Sequence, residues 1–115
     1  SLFDYVSIDI DHGSLDALKK FVDAGYKAKI ITVEHDAYNP GGEQRKAALE
    51  NYMKDQLDYK MVVRNVGLSF CTKNFLENWY VLNDAEFLIP EIHSMFWEDI
   101  NPNKVIFDLC KIKKW

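Results

Sequence analysis

Cysteine is scarce in this sequence: there are two, Cys71 and Cys110, far apart and without a CxxC spacing. That excludes a disulfide scaffold or a thiolate zinc site, and it predicts reduced thiols in a cytoplasmic setting. An excess of basic charge is lacking as well, because 14 Lys and Arg stand against 18 Asp and Glu for a formal charge of -4. No block of the chain can lay a cationic stripe along a phosphate backbone, so nucleic acid is excluded as the expected ligand. No stretch approaches the roughly 20 consecutive apolar residues of a bilayer crossing. The first residues carry neither the basic region nor the apolar core of a signal peptide, and no membrane partner is expected.

Linkers, repeats and low-complexity segments are missing too. The only punctuation is Asn39-Pro40-Gly41-Gly42 and the short turns around Pro90 and Pro102. The sequence therefore reads as one continuous unit over residues 1–115, a single domain or part-domain. Its strand pattern begins at once with Leu2 and Phe3 after Ser1, which predicts a chain that starts in mid-protein. What is present is core material: 48% of residues are apolar and 14% aromatic, the composition of a globular domain.

Residues 3–10 (Phe-Asp-Tyr-Val-Ser-Ile-Asp-Ile) alternate apolar with small or polar side chains and predict a strand ending on acidic residues, Asp9 and Asp11. His12 and Gly13 make a turn. Ser14 is placed as the N-cap of a helix whose stripe is Leu15, Leu18, Phe21 and Val22, ended by Gly25 in a left-handed cap. Residues 29–34 (Lys-Ile-Ile-Thr-Val-Glu) are nearly all apolar, as in a strand buried on both faces of a parallel sheet. Residues 43–56 predict a surface helix with Ala47, Leu49, Tyr52 and Met53 toward the sheet. Residues 59–70 and 75–82 predict an antiparallel hairpin joined by a turn at 71–74. Residues 85–97 predict a short helix around Pro90, and residues 104–112 fit a strand or a helix, with the helix preferred.

Strand, helix, strand, helix and hairpin is the order of the second half of a doubly wound α/β sheet. Ligands of such sheets bind beyond the carboxyl ends of the parallel strands. Two clusters fall there: Asp9, Asp11 and His12, then Glu34, His35 and Asp36. Carboxylates so placed can chelate a hard cation such as Mg²⁺ or hold a hydroxyl for deprotonation, with a histidine as a base that titrates near neutrality. The plainer alternative is that Asp9 and Asp11 end a strand and favour the following helix through its dipole.

The segments 4–18 (Asp-Tyr-Val-Ser-Ile-Asp-Ile-Asp-His-Gly-Ser-Leu-Asp-Ala-Leu) and 29–36 (Lys-Ile-Ile-Thr-Val-Glu-His-Asp) resemble the fourth and fifth strands of FkbM-type S-adenosylmethionine-dependent methyltransferases. Residues 59–66 and 75–81, with Phe-Leu-Glu-Asn-Trp-Tyr-Val, are similar to that family's closing hairpin. The resemblance covers about residues 3–92, and its four segments come in the family's order and spacing. It implies the carboxyl-terminal half of a doubly wound, Rossmann-like methyltransferase sheet, and transfer of a methyl group to a hydroxyl oxygen of a small molecule or sugar. Asp11 or His35 would take the hydroxyl proton, and Asp9 would lie toward the cofactor. His12, Glu34, Asp36 and Trp79 would face the acceptor, and Asp9, Asp11, Glu34 and Asp36 would be the ligands of any Mg²⁺. Two departures stand out: no G-x-G-x-x-G turn occurs, so the cofactor-binding half is absent, and His12 separates Asp11 from Gly13.

Without its missing neighbour the first strand would present an apolar edge, which predicts either a longer enzyme or association with another chain, including a second copy. The competing function is thus a non-catalytic α/β interaction module that completes its sheet with a partner. Among the remaining features, His93 has no partner at ligand spacing and receives no role. Of the adjacent Trp79 and Tyr80 one at most lines a cleft and the other is core. Lys111, Lys113 and Lys114 form a solvated tail ending in Trp115, and Asn39 to Gly42 lacks the Lys-Ser/Thr of a phosphate loop.

Overall fold

The apolar run of the second predicted strand needs protein on both faces and on both edges, and the computed structural model supplies it. Residues 1–56, 58–67 and 74–113 are described. Strand β1, Leu2–Ile8, pairs parallel with β2, Lys27–Glu34, in the register Val6 to Ile31 and Ile8 to Val33. Helix α1, Ser14–Asp23, makes the crossover and buries Leu18 completely. Burying such a side chain is worth about 1.5–3 kcal/mol.

Both ends of α1 can be traced to local chemistry. Ser14 is its first residue rather than its N-cap, a correction to the sequence reading. The cap position belongs to Gly13, and the buried Ser14 hydroxyl instead accepts the Ile10 amide at 3.1 Å, closing a 3-10 turn at Asp11–Gly13. Gly25, at φ +86°, ends the helix as expected. Its amide reaches the Val22 carbonyl and the Tyr26 amide reaches Phe21, the paired bonds of a left-handed glycine cap.

Helix α2, Gly42–Gln56, follows β2 and lies on the same face as α1. Strands β3, Tyr59–Gly67, and β4, Phe75–Leu82, form the expected antiparallel pair. The expected strand over 59–70 is observed to Gly67. Its last three residues and most of the 71–74 turn, Cys71 included, lie outside the described residues, as do Lys114 and Trp115. The hairpin folds back so that β4 lies between β2 and β3, antiparallel to both.

A fifth strand unforeseen from the sequence, β5 at Trp97–Ile100, adds parallel to β3 and gives the order β1-β2-β4-β3-β5. The helix expected within 85–97 is a 3-10 turn, Pro90–Ser94, because the remainder of that segment is drawn into loop and strand. Helix α3, Pro102–Lys113, settles the last ambiguity in favour of helix.

The sheet separates two apolar clusters. Ile8, Leu18, Ile31, Val33, Leu49, Met53 and Tyr80 pack under α1 and α2, while Val62, Val63, Val66, Val81 and Val105 pack on the α3 side. No described helix is long and apolar enough to cross a membrane. β1 is an edge strand, and its Leu2, Phe3 and Tyr5 stay 56%, 44% and 56% exposed.

Candidate active site

Beyond the strand ends the backbone turns sharply. Asp11 and Asp36 follow β1 and β2 with φ of +36° and +47°, while Asn65 and Asp99 near the ends of β3 and β5 have +63° and +53°. All four lie at or near the carboxyl ends of the mutually parallel strands. Asp and Asn are the non-glycine residues that best tolerate this region, and such turns cluster at functional sites.

The turns after β1 and β2 bring acids together. One carboxylate oxygen from each of Asp11, Glu34 and Asp36 lies within 4.8 Å of the other two. Glu34 is pushed up to about 8, first by burial, then by contact with the Asp9 carboxyl and by the negative charges of Asp36 and Asp9. Its Oε1 is buried and has no hydrogen-bond partner. Asp36 is raised as well, by burial foremost and by the charges of Asp9 and Asp11, against which the Glu34 contact and Arg45 act. A cavity of about 390 Å³ beside this cluster is lined by Asp11, His12, Asp16, Glu34, His35 and Arg45.

His35 stands apart from these acids in character. It is 2% exposed, its Nδ1 accepts the Ala37 amide at 3.0 Å, and Nε2 therefore carries the proton directed at Asn78 Oδ1, 3.2 Å away. Burial and the Lys46 charge push it down to about 4. A ring committed on both nitrogens holds its loop in place. The amides of His35 and Asp36 add to this by sharing the Leu76 carbonyl.

Sequence reading missed the polar chain beneath the acids. Asn78, fully buried, accepts from His35 and from the Asn65 amide, and donates to Glu50 Oε2 at 2.9 Å and to the Tyr80 hydroxyl at 3.3 Å. Glu50 in turn takes two hydrogen bonds from Arg64, whose third reaches Glu98, so Glu50 is held below the usual carboxylate range despite its burial. The signal was an Asn in the middle of a strand pattern, a residue that strands disfavour unless its amide is used. Arg45 was also missed. It donates to the carbonyls of Pro40 and Asp36 and so clamps the loop that carries Asp36.

Asp9, Asp11, Glu34 and Asp36 are thus brought together, with His12 at the cavity wall. Trp79 is not among them. It lines a separate cavity on the α3 side, its indole N–H given to Glu77, while Tyr80 is core as one of the pair had to be. No protein-family model, curated protein or solved structure was found to match this chain.

Proposed function

We propose that this chain is the acceptor-binding, carboxyl-terminal part of an S-adenosylmethionine-dependent methyltransferase of FkbM type that acts on a hydroxyl oxygen. The observation that carries the reading is the convergence of Asp11, Glu34 and Asp36 within 4.8 Å at the ends of adjacent parallel strands, where the sequence resemblance sets the acceptor. The antiparallel insertion of β4 between β2 and β3 is consistent with a closing hairpin in a doubly wound sheet. Cysteine usage favours a cytoplasmic protein, and Cys110 is a free thiol.

Methyl transfer is an in-line displacement, so the protein has to orient the hydroxyl and remove its proton. Asp11, exposed at the cavity wall, is the proton acceptor in this reading. Glu34, largely protonated at neutral pH, donates a hydrogen bond to the acceptor, and Asp36 fixes its orientation. His35, whose ring nitrogens are both engaged, passes from proton acceptor to positioning residue.

The donor set at these strand ends is made of carboxylates, which suit a hydroxyl or a cation. It offers no glycine-rich turn for S-adenosylmethionine, so these residues do not fit that cofactor by themselves and no step is routed through it. They do fit Mg²⁺, a hard ion that takes oxygen ligands, with Asp11, Glu34 and Asp36 as the holders and Asp9 beside them. The ion would lower the acceptor hydroxyl's pKa.

In a protein that supplies the cofactor half, Asp11→Asn is expected to lower turnover about a hundredfold or more with an unchanged thermal midpoint. Unchanged turnover would defeat the reading. The second reading, an interaction module, is favoured by one observation, the exposed apolar edge of β1. It predicts association without methyl transfer.

A further inference from the structure

Helix α3 packs on the sheet through the buried Val105 and the partly buried Leu109, on the side away from α1 and α2. Its opposite side meets solvent. At about 100° per residue the outward half of the helix carries, in angular order, Lys113, Ile106, Phe107, Lys111 and Lys104. All of these are exposed, Ile106 and Phe107 at 55% each. The only carboxylate of α3, Asp108, lies outside that half and is taken by Lys104 at 2.7 Å and by the Trp97 indole N–H at 2.9 Å.

This segregation runs against the average of the chain. Acids outnumber bases by 18 to 14 and the sequence predicts no membrane partner, yet the outward half of α3 holds lysines and apolar side chains with no acid among them. The helix dipole favours Lys111 and Lys113 in the last turn. It does not account for an isoleucine and a phenylalanine left bare between lysines on either side. The Lys104 and Lys111 ammonium groups lie 5.5 and 4.5 Å from the Phe107 ring centroid. Lysine stems of this length can lift their charge to a headgroup while the ring between them enters an apolar layer. A polyanion without such a layer would leave Ile106 in water, and an apolar protein face would strip the lysines of water without pairing them. An anionic bilayer surface satisfies both kinds of side chain, because it presents phosphates above an acyl boundary.

We infer that α3 docks this protein on an anionic lipid surface, with Ile106 and Phe107 at the boundary between headgroups and acyl chains and Lys104, Lys111 and Lys113 on the lipid phosphates and carboxylates. The acidic cavity is walled from α1 and α2, across the sheet, so docking leaves it open. The inference does not depend on the methyl-transfer reading.

The test is co-sedimentation of the 115-residue chain with vesicles of phosphatidylcholine alone and with about 30 mol% phosphatidylserine, at about 0.1 M salt. Partition onto the serine-containing vesicles is expected to exceed that onto the neutral ones at least about tenfold, and to fall at about 1 M salt, where the Debye length shrinks to about 3 Å. Lys111→Gln/Lys113→Gln should lower it at least about fivefold. Ile106→Gln/Phe107→Gln should lower it at least about tenfold, which a purely electrostatic contact would not show. These side chains are exposed and Gln is a good helix former, so thermal midpoints should stay within about 3 °C.

No sedimentation with the serine-containing vesicles, equal partition onto both compositions, or unchanged partition of Ile106→Gln/Phe107→Gln overturns the inference. So does a lipid-free dimer that shields Lys111 and Lys113 from acylating reagents, which would make the occupant a second copy. Release of the chain from vesicles by millimolar glycerophosphoserine would also overturn it, by assigning α3 a free phosphate ligand in place of a surface.

Discussion

Glu34 and His35 are neighbours in the chain and titrate in opposite directions. Glu34 has its folded value raised from 4.5 to about 8, so its stabilising contribution is full below 4.5 and is lost as pH rises through about 8. His35 has its folded value lowered from 6.5 to about 4, so its contribution is full above 6.5 and is lost as pH falls through about 4. Thermal melts between about pH 5 and pH 9 should show Glu34→Gln losing the alkaline decline of the native chain while keeping the acid one. A parallel decline in both proteins would place the titration elsewhere. Millimolar Mg²⁺ should raise the midpoint more at about pH 8 than at about pH 5, because the ion competes with the proton on Glu34, and Asp36→Asn should abolish that gain. An equal gain at both pH values would remove Mg²⁺ from this site.

At the scale of elements, the acids are held in place by how α2 and β4 meet the loop after β2. A Cβ on Gly42 would lie 2.3 Å from the Asp36 carbonyl and 2.5 Å from that of Ala37, so the first turn of α2 packs against backbone. Gly42→Ala should displace the 36–42 loop and cost about 1–3 kcal/mol by denaturant unfolding, with loss of any Mg²⁺ response. Within β3, register shifts accompany the positive φ of Asn65, and its amide turns to Asn78. Asn78 serves four partners at the sheet centre, so Asn78→Ala should cost about 2–4 kcal/mol, more than one hydrogen bond, since the groups it leaves are buried. A loss below about 1 kcal/mol would mean that the network relaxes around the gap.

Across the whole molecule the two edges of the sheet are unequal. β5 is four residues long and half-covered, while β1 offers seven residues with Leu2, Phe3 and Tyr5 outward. A long, apolar, unpaired edge favours association. Sedimentation velocity should show concentration-dependent self-association that Phe3→Lys suppresses, with the thermal midpoint of the dilute protein held. Phe3 also touches Phe21 and Tyr26, so the midpoint is the control for lost packing. Monomer behaviour over a wide concentration range, with the β1 amides protected from exchange, would rule this out.

The stretches that carry their own periodicity were legible in the sequence: β1, β2, α1, α2 and the hairpin, together with the acidic residues at the ends of β1 and β2. Alternation, an amphipathic stripe and a glycine cap are local properties, each written within about ten residues. So was the gathering of Asp11, Glu34 and Asp36, because parallel pairing of β1 and β2 leaves their following turns side by side. The short β5 was not legible, since four residues around Glu98 and Asp99 become a strand only when β3 offers an open edge. The histidine's role was hidden for the same reason. Whether His35 is a base or a strut depends on Asn78, 43 positions away, and no spacing along the chain announces that contact. The apolar cavity on the α3 side, lined by Thr32 of β2, Trp79 and Val81 of β4 and Val63 of β3, exists only because β4 folds back between β2 and β3. Long-range pairing and the cost of burying a polar group without a partner decided those features, and both are properties of the folded chain.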